Sequence, residues 1–171
     1  MAVGELTNEA AEPLLANDRV NARRVQLFST AVVVVIIDQI TKQLALSGLA
    51  DGPIEGPLGT SLRLVFNRGS AFSLGEGFGP VFGIAAIVVT IAMYWLVKSV
   101  DRTAVVIGLG FIAGGAIGNV IDRAFRDGSD RFLGGAVIDF LEIGSFWPVF
   151  NIADVAIVVG GAYVALKSSS A

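Results

Sequence analysis

The sequence predicts a mainly α membrane protein with four transmembrane helices and a small extracytoplasmic β-sheet formed by the long outer loops. Of its 171 residues, 54% are hydrophobic and only 16% are charged, whereas about a quarter of the residues in a typical soluble domain are charged. Apolar stretches of membrane-spanning length account for the helices. Two shorter segments, in which apolar and polar residues alternate, account for the sheet.

Four stretches approach the ~20 residues that cross a bilayer as an α-helix. The two central ones, of 21 and 19 residues, contain no charged residue. The first contains Asp38 and Lys42, and the last contains Asp154. Because Asp38 and Lys42 lie where a cleavable signal peptide would be apolar, we expect the first span to be retained. In chain order, the predicted spans are 25–46, 77–97, 103–121 and 148–166.

The spans divide the chain into an arm, one membrane domain and a tail. We expect residues 1–24 to form a polar, disordered cytoplasmic arm, 25–167 a single four-helix transmembrane domain, and 168–171 a cytoplasmic tail. Four spans place both termini on the same side. The basic residues are nearly balanced between the two sides, six against five. The cluster of Arg immediately before the first span therefore decides the topology and favours cytoplasmic termini.

Two segments outside the spans alternate between apolar and polar residues. They are TSLRLVF at 60–66 and GAVIDFLEI at 135–143. Alternation with a period of two is typical of a strand with one buried face. Both segments belong to the long outer loops, 47–76 and 122–147, so we expect a small sheet at the outer membrane surface.

The composition excludes several kinds of chemistry. The chain has no His and no Cys, which rules out a Ser-His-Asp triad, an imidazole or thiolate zinc site, thiol catalysis and disulfides within one chain. Any catalysis must therefore use carboxylate, amine, guanidinium, hydroxyl or amide groups. A net charge of -3 gives no reason to expect a nucleic-acid partner.

Three acids, Asp38, Asp122 and Asp154, lie within or at the ends of the predicted spans. Ionisable groups in a membrane are costly and are often functional. At about 1.5 Å per residue, all three lie near the outer edge of the apolar layer. If the third and fourth helices pack together, Asp122 and Asp154 can face each other and share a proton. One acid could then activate water while the other protonates the carbonyl oxygen or the leaving amine.

Small residues favour that packing. Gly110, Gly114 and Gly118 recur every four residues on one face of the third predicted helix and allow a neighbouring backbone to approach closely. The small residues that the fourth helix offers are Ala153, Ala156 and Gly160.

The spacing leaves other interpretations open. Asp38 and Lys42 are four residues apart on a helix, so a local structural ion pair accounts for both. A proton or ion pathway would use the same acids, but it needs polar residues through the full membrane depth, and the second span offers only Thr90 near its middle. A purely structural subunit leaves Asp154 unexplained. A Ser-Lys peptidase would use Lys42 as its base, with Ser47, Ser70 or Ser73 as the nucleophile.

Five motifs decide between these alternatives. Their order along a chain with four spans and long outer loops resembles that in bacterial lipoprotein signal peptidase (signal peptidase II), and together they span about two-thirds of the chain. The resemblance implies an intramembrane aspartic endopeptidase. It would remove signal peptides from diacylglyceryl-modified prolipoproteins and cut on the amino side of the lipidated Cys. The motifs are DQITK (38–42), FNRGSAFSL (66–74), GNVIDR (118–123), VIDF (137–140) and FNIAD (150–154).

The same resemblance implies roles for individual residues. The catalytic acids would be those of the GNVIDR and FNIAD motifs, Asp122 and Asp154, while Asp38 and Lys42 would be mainly structural. Ser70 is a departure, because this position is often Ala in the family; we expect it to tune the loop without abolishing activity. The substrate-binding or supporting residues would be Asn67, Gly69, Asn119, Arg123, Asp139 and Asn151, of which Asn67 and Arg123 would contact the substrate backbone or the lipid head group.

The resemblance also implies partners and a location. The partners would be prolipoproteins that carry diacylglyceryl-Cys, together with membrane lipids, and we expect no nucleic acid, metal or cofactor. The protein would be a monomer in the bacterial cytoplasmic (inner) membrane. Its termini would lie in the cytoplasm and its active site near the extracytoplasmic face.

Overall fold

The computed structural model describes residues 2–69, 78–126, 132–144 and 147–169, with the side chains of 2–14 and 169 left aside. Within these ranges the chain forms four long helices and one three-stranded sheet. In chain order the elements are α1 (Ala2–Gly48), β1 (Ile54–Glu55), β2 (Thr60–Asn67), α2 (Gly79–Leu96), α3 (Thr103–Phe125), β3 (Val137–Ile143) and α4 (Ile152–Ser169).

The helices have membrane-spanning dimensions. Among the described residues, three helical segments are long and apolar enough to cross a bilayer: Leu15–Gly48, Gly79–Ser99 and Thr103–Phe125. The fourth helix, α4, has 18 residues, which corresponds to about 27 Å, close to the ~30 Å of a hydrocarbon core. The predicted fold class, a mainly helical membrane protein with a small sheet, is therefore confirmed.

Helix α3 contacts each of the other three helices and is more buried than α1 or α2. Its glycines allow these contacts to be close. A Cβ on Gly114 would lie 2.8 Å from the carbonyl oxygen of Ala31 in α1, and a Cβ on Gly108 would lie 3.1 Å from the carbonyl oxygen of Gly160 in α4. Neither position has room for a side chain, so α3 can serve as the axis of the bundle.

The glycines at four-residue intervals face α1, although the sequence suggested that they would help α3 to pack on α4. Gly110 lies against Thr30, and Gly118 lies against the carboxylate of Asp38. Helix α4 packs instead against Gly115. The residues that continue the glycine row along α3 therefore also point towards α1.

The sheet confirms both alternating segments as strands. Strand β2 pairs antiparallel with β1 on one side and with β3 on the other, and its register shifts between Leu62 and Val65. Strand β1 was not predicted, because its two residues are too few to show alternation. A bridge between Leu141 and Phe150 extends the pairing to the residues just before α4.

Strand β3 is buried on both of its faces near its start. Ile138 and Phe140 pack against Ala45 and Leu49 at the end of α1. Asp139 lies between them and therefore points to the opposite face of the sheet. Packing on one face thus holds a carboxyl group in place on the other.

The amino-terminal arm differs from the expectation of disorder. The structure begins helix α1 at Ala2 and continues it without a break to Gly48. The arm is rich in Ala, Leu and Glu, which are strong helix formers, and it precedes an apolar helix that can propagate backwards into it. Its cytoplasmic location stays a prediction.

We expect Gly114→Val to lower the free energy of unfolding by about 1–3 kcal/mol, because the new side chain must push α1 away from α3. The measurement is thermal unfolding of the purified protein in detergent. Gly161→Ala is the matched control, since a Cβ at Gly161 meets nothing within 4 Å. Equal melting temperatures for the two variants would contradict the close α1–α3 contact.

Candidate active site

A buried ionic cluster joins α1 and α3. The Lys42 ammonium lies 2.8 Å from Asp38 Oδ2 and 2.8 Å from Asp122 Oδ2, and all three side chains are fully buried. Arg126 Nε donates to Asp122 Oδ1 at 2.7 Å. We call Asp38, Lys42, Asp122 and Arg126 the Lys42 cluster. It holds two positive and two negative charges, so a set of groups that would be costly to bury singly is neutral as a unit.

The Lys42 cluster also holds the start of α4. Asp38 Oδ1 accepts a hydrogen bond from the backbone N–H of Ala153 at 2.9 Å. This N–H belongs to the first turn of α4, where backbone donors have no partner within the helix. A carboxylate from α1 thus satisfies one of them and fixes α4 relative to α1.

A second polar cluster lies between the sheet and the start of α4. Asn151 connects its two acids: its Nδ2 donates to Asp139 Oδ1 at 2.7 Å, and its backbone N–H donates to Asp154 Oδ2 at 3.1 Å. Asn67 Nδ2 donates to the other oxygen of Asp139 at 2.9 Å. We call Asp139 and Asp154 the acid pair. Neutral amides hold it, in contrast to the cations that hold Asp122.

Asn119 of α3 connects the two clusters. Its Oδ1 accepts from Lys42 Nζ at 3.0 Å and from Asn151 Nδ2 at 3.1 Å, while its Nδ2 donates to Asp154 Oδ1 at 3.0 Å. One amide side chain therefore touches a member of the Lys42 cluster and a member of the acid pair.

The acid pair lies in a cavity of about 690 Å³ bounded by α2, α3, α4 and the sheet. Apolar side chains form most of its wall. Small residues line it on two sides, with Gly83 and Ala86 on α2 and Ala116 on α3. The polar residues that line the cavity are Asn67, Asn119, Arg123, Asp139 and Asp154. The cavity thus combines an apolar wall with one polar region, which is typical of ligand-binding sites.

Arg123 is the one cation among the described residues that line the cavity. Its side chain is buried, and its Nη2 donates to the carbonyl oxygen of Gly69 at 2.7 Å. Its Nη1 is buried without a hydrogen-bond partner in the described part of the chain. A buried guanidinium N–H without an acceptor is costly, so Arg123 has one donor available for a ligand.

Burial, with a smaller contribution from the negative charge of Asp154, raises the pKa of Asp139 to about 7. The hydrogen bond from Asn67 acts in the opposite direction, as do the bond from Asn151 and the charge of Lys42. Asp139 therefore carries its proton up to about neutral pH. A carboxyl group that keeps a proton next to a second acid is the arrangement that general acid–base catalysis requires.

The family model described as signal peptidase (SPase) II matches residues 30–169 of this sequence. The chain belongs to the signal peptidase II family. The protein named lipoprotein signal peptidase in Mycobacterium leprae is 40% identical to this sequence over 83% of the chain. The protein of the same name in Mycobacterium avium is 42% identical over 85% of the chain. The matches cover 70% and 79% of those proteins, and a 41% identical match covers 66% of the Mycobacterium tuberculosis protein.

Two solved structures described as bacterial membrane enzymes, determined by the in meso method at 2.3 and 1.9 Å resolution, share the fold. Their TM-scores are 0.70 and 0.69, and their sequences are 28% and 27% identical to this one. Each comparison covers 84% of this chain, and 89% and 92% of the two solved chains. Together with the membrane-length helices, these findings support a multi-pass membrane peptidase of the signal peptidase II family.

The structure does not bring together the two acids that the sequence paired. Asp122 continues the glycine row of α3 and so points at α1, where Lys42 and Arg126 occupy both of its oxygens. It is fully buried and is not among the described residues that line the cavity. Asp154 lies in the cavity beside Asp139, which the sequence assigned only a supporting role.

The other predicted site residues do assemble. Asp38 and Lys42, expected to be structural, form the buried ion pair that their spacing indicated. Two members of the ionic network were missed, Gln39 and Arg126. Gln39 Nε2 donates to Asp122 Oδ1 at 3.3 Å, and the four-residue spacing of Arg126 from Asp122 could have indicated that pair. The predicted supporting residues that line the cavity or contact the acid pair are Asn67, Gly69, Asn119, Arg123, Asp139 and Asn151.

The described residues do not support a Ser-Lys peptidase. The three N–H groups of Lys42 are directed at Asp38, Asp122 and Asn119, which leaves none to interact with a Ser. The hydroxyl group of Ser47 donates to backbone carbonyls within its own helix. The other candidate nucleophiles, at positions 70 and 73, lie outside the described residues.

A metal or a polar pathway finds equally little support in the described part of the chain. No group of three or more Asp or Glu is placed there to hold a metal ion. The bundle is closed at the end opposite the sheet by an apolar cluster in which Val97 and Val106 are fully buried. Thr90, the polar residue near the middle of α2, donates its hydroxyl to the Ala86 carbonyl oxygen of the same helix.

We expect Asp38→Ala to lower the free energy of unfolding by about 3–5 kcal/mol, because it leaves a buried cation with one partner fewer. Thermal unfolding in detergent measures the effect. Asp101→Ala is the control: it also removes the carboxylate of an ion pair, the one with Arg23, but the Asp101 side chain is 90% exposed, so little change is expected. Similar losses in both variants would contradict a structural role for the Lys42 cluster.

Proposed function

We propose that this chain is an aspartic endopeptidase that removes signal peptides from diacylglyceryl-modified prolipoproteins, cleaving on the amino side of the lipidated Cys. The observation that carries the proposal is the acid pair, Asp139 and Asp154, which lines an apolar-walled cavity and is held by Asn151. The membership of the signal peptidase II family supports the substrate class.

The chemistry that the acid pair can perform is hydrolysis of a peptide bond by activated water. An ionised carboxylate accepts a proton from water as the water attacks the scissile carbonyl carbon. A protonated carboxyl group donates to the carbonyl oxygen and so stabilises the charge that develops there. Two carboxyl groups with different protonation states supply both functions without His, Cys or metal.

The cavity suits the proposed substrate. Its small residues, Gly83, Ala86 and Ala116, leave room for an extended peptide next to the acid pair. Its apolar wall, including Val89 and Val158, suits a hydrophobic signal segment or acyl chains. The Nη1 of Arg123, which has no partner among the described residues, supplies a donor for a substrate carbonyl or a lipid head group.

The basic cluster at one end of the bundle supports the proposed orientation. The end opposite the sheet carries Arg23, Arg24 and Lys98, and Arg23 forms an ion pair with Asp101 there. Basic residues favour the cytoplasmic side. We therefore place both termini in the cytoplasm and the acid pair near the extracytoplasmic face of the inner membrane. One chain supplies every residue of the acid pair and its amide partners, which supports a monomer.

We expect Asp139→Asn and Asp154→Asn each to reduce turnover of a diacylglyceryl-modified precursor peptide by about 10²–10⁴-fold, because each removes one partner in proton transfer. Cleavage in detergent is followed by mass spectrometry, with the same peptide lacking the lipid as the comparison substrate. We expect the lipidated peptide to be cleaved faster.

Asp122→Asn is the matched third variant for the same assay. Because Asp122 is bound by Lys42 and Arg126 away from the cavity, we expect this change to lower the melting temperature and to leave the turnover number of the folded protein nearly unchanged. A folded Asp139→Asn variant with normal turnover, together with an inactive Asp122→Asn variant of normal stability, would return the catalytic role to Asp122.

We expect kcat/KM to fall above about pH 7, because Asp139 loses its proton there. The charged groups that face Asp139 are Asp154, Lys42 and Arg123. The pH profile of kcat/KM for a lipidated peptide tests this expectation. Arg63→Gln, at a solvent-exposed position of the central strand β2, is the control that should leave the alkaline limb in place.

A further inference from the structure

Lys42 has a fixed set of partners. Its ammonium group is fully buried, and its three N–H bonds are directed at Asp38 Oδ2, Asp122 Oδ2 and Asn119 Oδ1 at 2.8, 2.8 and 3.0 Å. An ammonium has three donors and no acceptor, so every donor is used. The two carboxylates balance the charge of Lys42. The third N–H donates to Asn119, a neutral side chain next to the acid pair.

That third bond determines the orientation of the Asn119 amide. A cation can only be faced by the carbonyl oxygen, and Asn151 Nδ2 donates to the same oxygen at 3.1 Å. The NH₂ group of Asn119 must then point the other way, and its Nδ2 donates to Asp154 Oδ1 at 3.0 Å. A flipped amide would place two donors against the Lys42 ammonium and an acceptor against a carboxylate, which is unfavourable at both ends.

The two members of the acid pair therefore differ in environment. Both oxygens of Asp154 receive N–H donors, one from Asn119 and one from the backbone of Asn151, and Asn119 is itself polarised by a cation. Asp139 is 2% exposed, and among the described residues it is held only by side-chain amides of Asn67 and Asn151. Hydrogen bonds from polarised donors favour the charged form of a carboxyl group, and burial favours the neutral form.

We propose that Asp139 is the acid and Asp154 the base of the resting enzyme, and that Lys42, acting through Asn119, sets this order. The proposal rests on the proposed function, because it assigns roles within the same pair. Lys42 is a positioning residue here: it is fully buried, is not among the described residues that line the cavity, and acts by turning the Asn119 amide towards Asp154.

The assignment gives a balanced reaction. Asp154 takes a proton from water while the water oxygen bonds to the scissile carbon, and Asp139 gives its proton to the carbonyl oxygen. The tetrahedral intermediate then collapses as the C–N bond breaks. Asp154 returns its proton to the leaving nitrogen, and Asp139 takes a proton from a hydroxyl group of the intermediate. The products are a carboxylic acid and an amine, and both acids regain their starting states.

An independent property of Asp139 agrees with this order. Burial, with a smaller contribution from Asp154, raises the pKa of Asp139 to about 7. Burial remains when Asp154 is replaced by Asn, so Asp139 should stay protonated in mildly acidic solution in that variant as well.

Infrared spectroscopy tests the assignment without any substrate. At about pH 5, below the value of about 7 for Asp139, we expect the C=O band of a protonated carboxyl group to lose intensity in Asp139→Asn and to persist in Asp154→Asn. The other buried carboxyl groups are present in both variants and cancel in the comparison. Loss in Asp154→Asn with persistence in Asp139→Asn, or no loss in either, would overturn the assignment.

Two double variants test the role of Lys42. D38N/K42Q and D38N/K42M both remove one positive and one negative charge, so the remaining Asp122–Arg126 pair stays neutral. Only the Gln side chain retains an N–H donor for Asn119 Oδ1. We expect D38N/K42M to have a turnover number about 10–100-fold below that of D38N/K42Q, as misplacement of a catalytic group produces, with similar KM and melting temperature.

Equal turnover in the two double variants would show that Lys42 does not act through Asn119 and would overturn its part of the inference. That outcome is distinct from failure of the proposed function, which would appear as normal turnover in the folded Asp139→Asn and Asp154→Asn variants. A lower turnover of D38N/K42M that is accompanied by a lower melting temperature than that of D38N/K42Q would also count against positioning, because it would indicate a structural effect.

Discussion

Burial of the Lys42 ammonium within a membrane bundle is the constraint on which the rest of this structure depends. A lone cation there would cost several kcal/mol, so two carboxylates, Asp38 and Asp122, must converge on it from α1 and α3. Asp38 can approach α3 only because position 118 is Gly. The same carboxylate accepts the Ala153 N–H at the start of α4. One charge thus determines how three helices are placed relative to each other.

The acids of the candidate active site fall into two sets: those that neutralise the Lys42 ammonium, and those that lie in the cavity without a direct contact to it. Both carboxylate oxygens of Asp122 contact cations, so Asp122 holds α1 and α3 together. In the part of the chain that the structure describes, the hydrogen-bond donors to Asp139 and Asp154 are all N–H groups of amides. Asn119 lies between the two sets of acids. It accepts a hydrogen bond from Lys42 and donates one to Asp154, so the ammonium group acts on the acid pair without entering the cavity. Because the surroundings of the acid pair are largely apolar, hydrogen bonds there are stronger than in water, and a small difference in hydrogen bonding has a larger effect on which acid is ionised.

Sequence reasoning succeeded where a residue's position along the chain decides the outcome. Hydrophobic length located the helices, alternation located β2 and β3, and the motifs gathered Asn67, Asp139 and Asp154 into one region. It failed where rotation about a helix axis decides. Asp122 and Asp154 were placed at a similar depth, but each residue turns an α-helix by about 100°. The glycine row at 110, 114 and 118 shows that one face is small without showing which neighbour will occupy it. Once that row packs on α1, Asp122 must follow it.

The location of the cavity limits how a substrate could be discriminated. Helix α2 packs chiefly on α3 and little of it is buried, so its remaining surface is available to lipid. An apolar segment that enters between α2 and α4 would exchange contacts with lipid for similar contacts with Val89 or Val158, and apolar burial alone gives little preference inside a bilayer. Selectivity must then come from tight packing at Gly83 and from hydrogen bonds at the polar region of the cavity. Arg123 and the amides that hold the acid pair can supply these bonds, so under the proposed function recognition and catalysis use neighbouring polar groups.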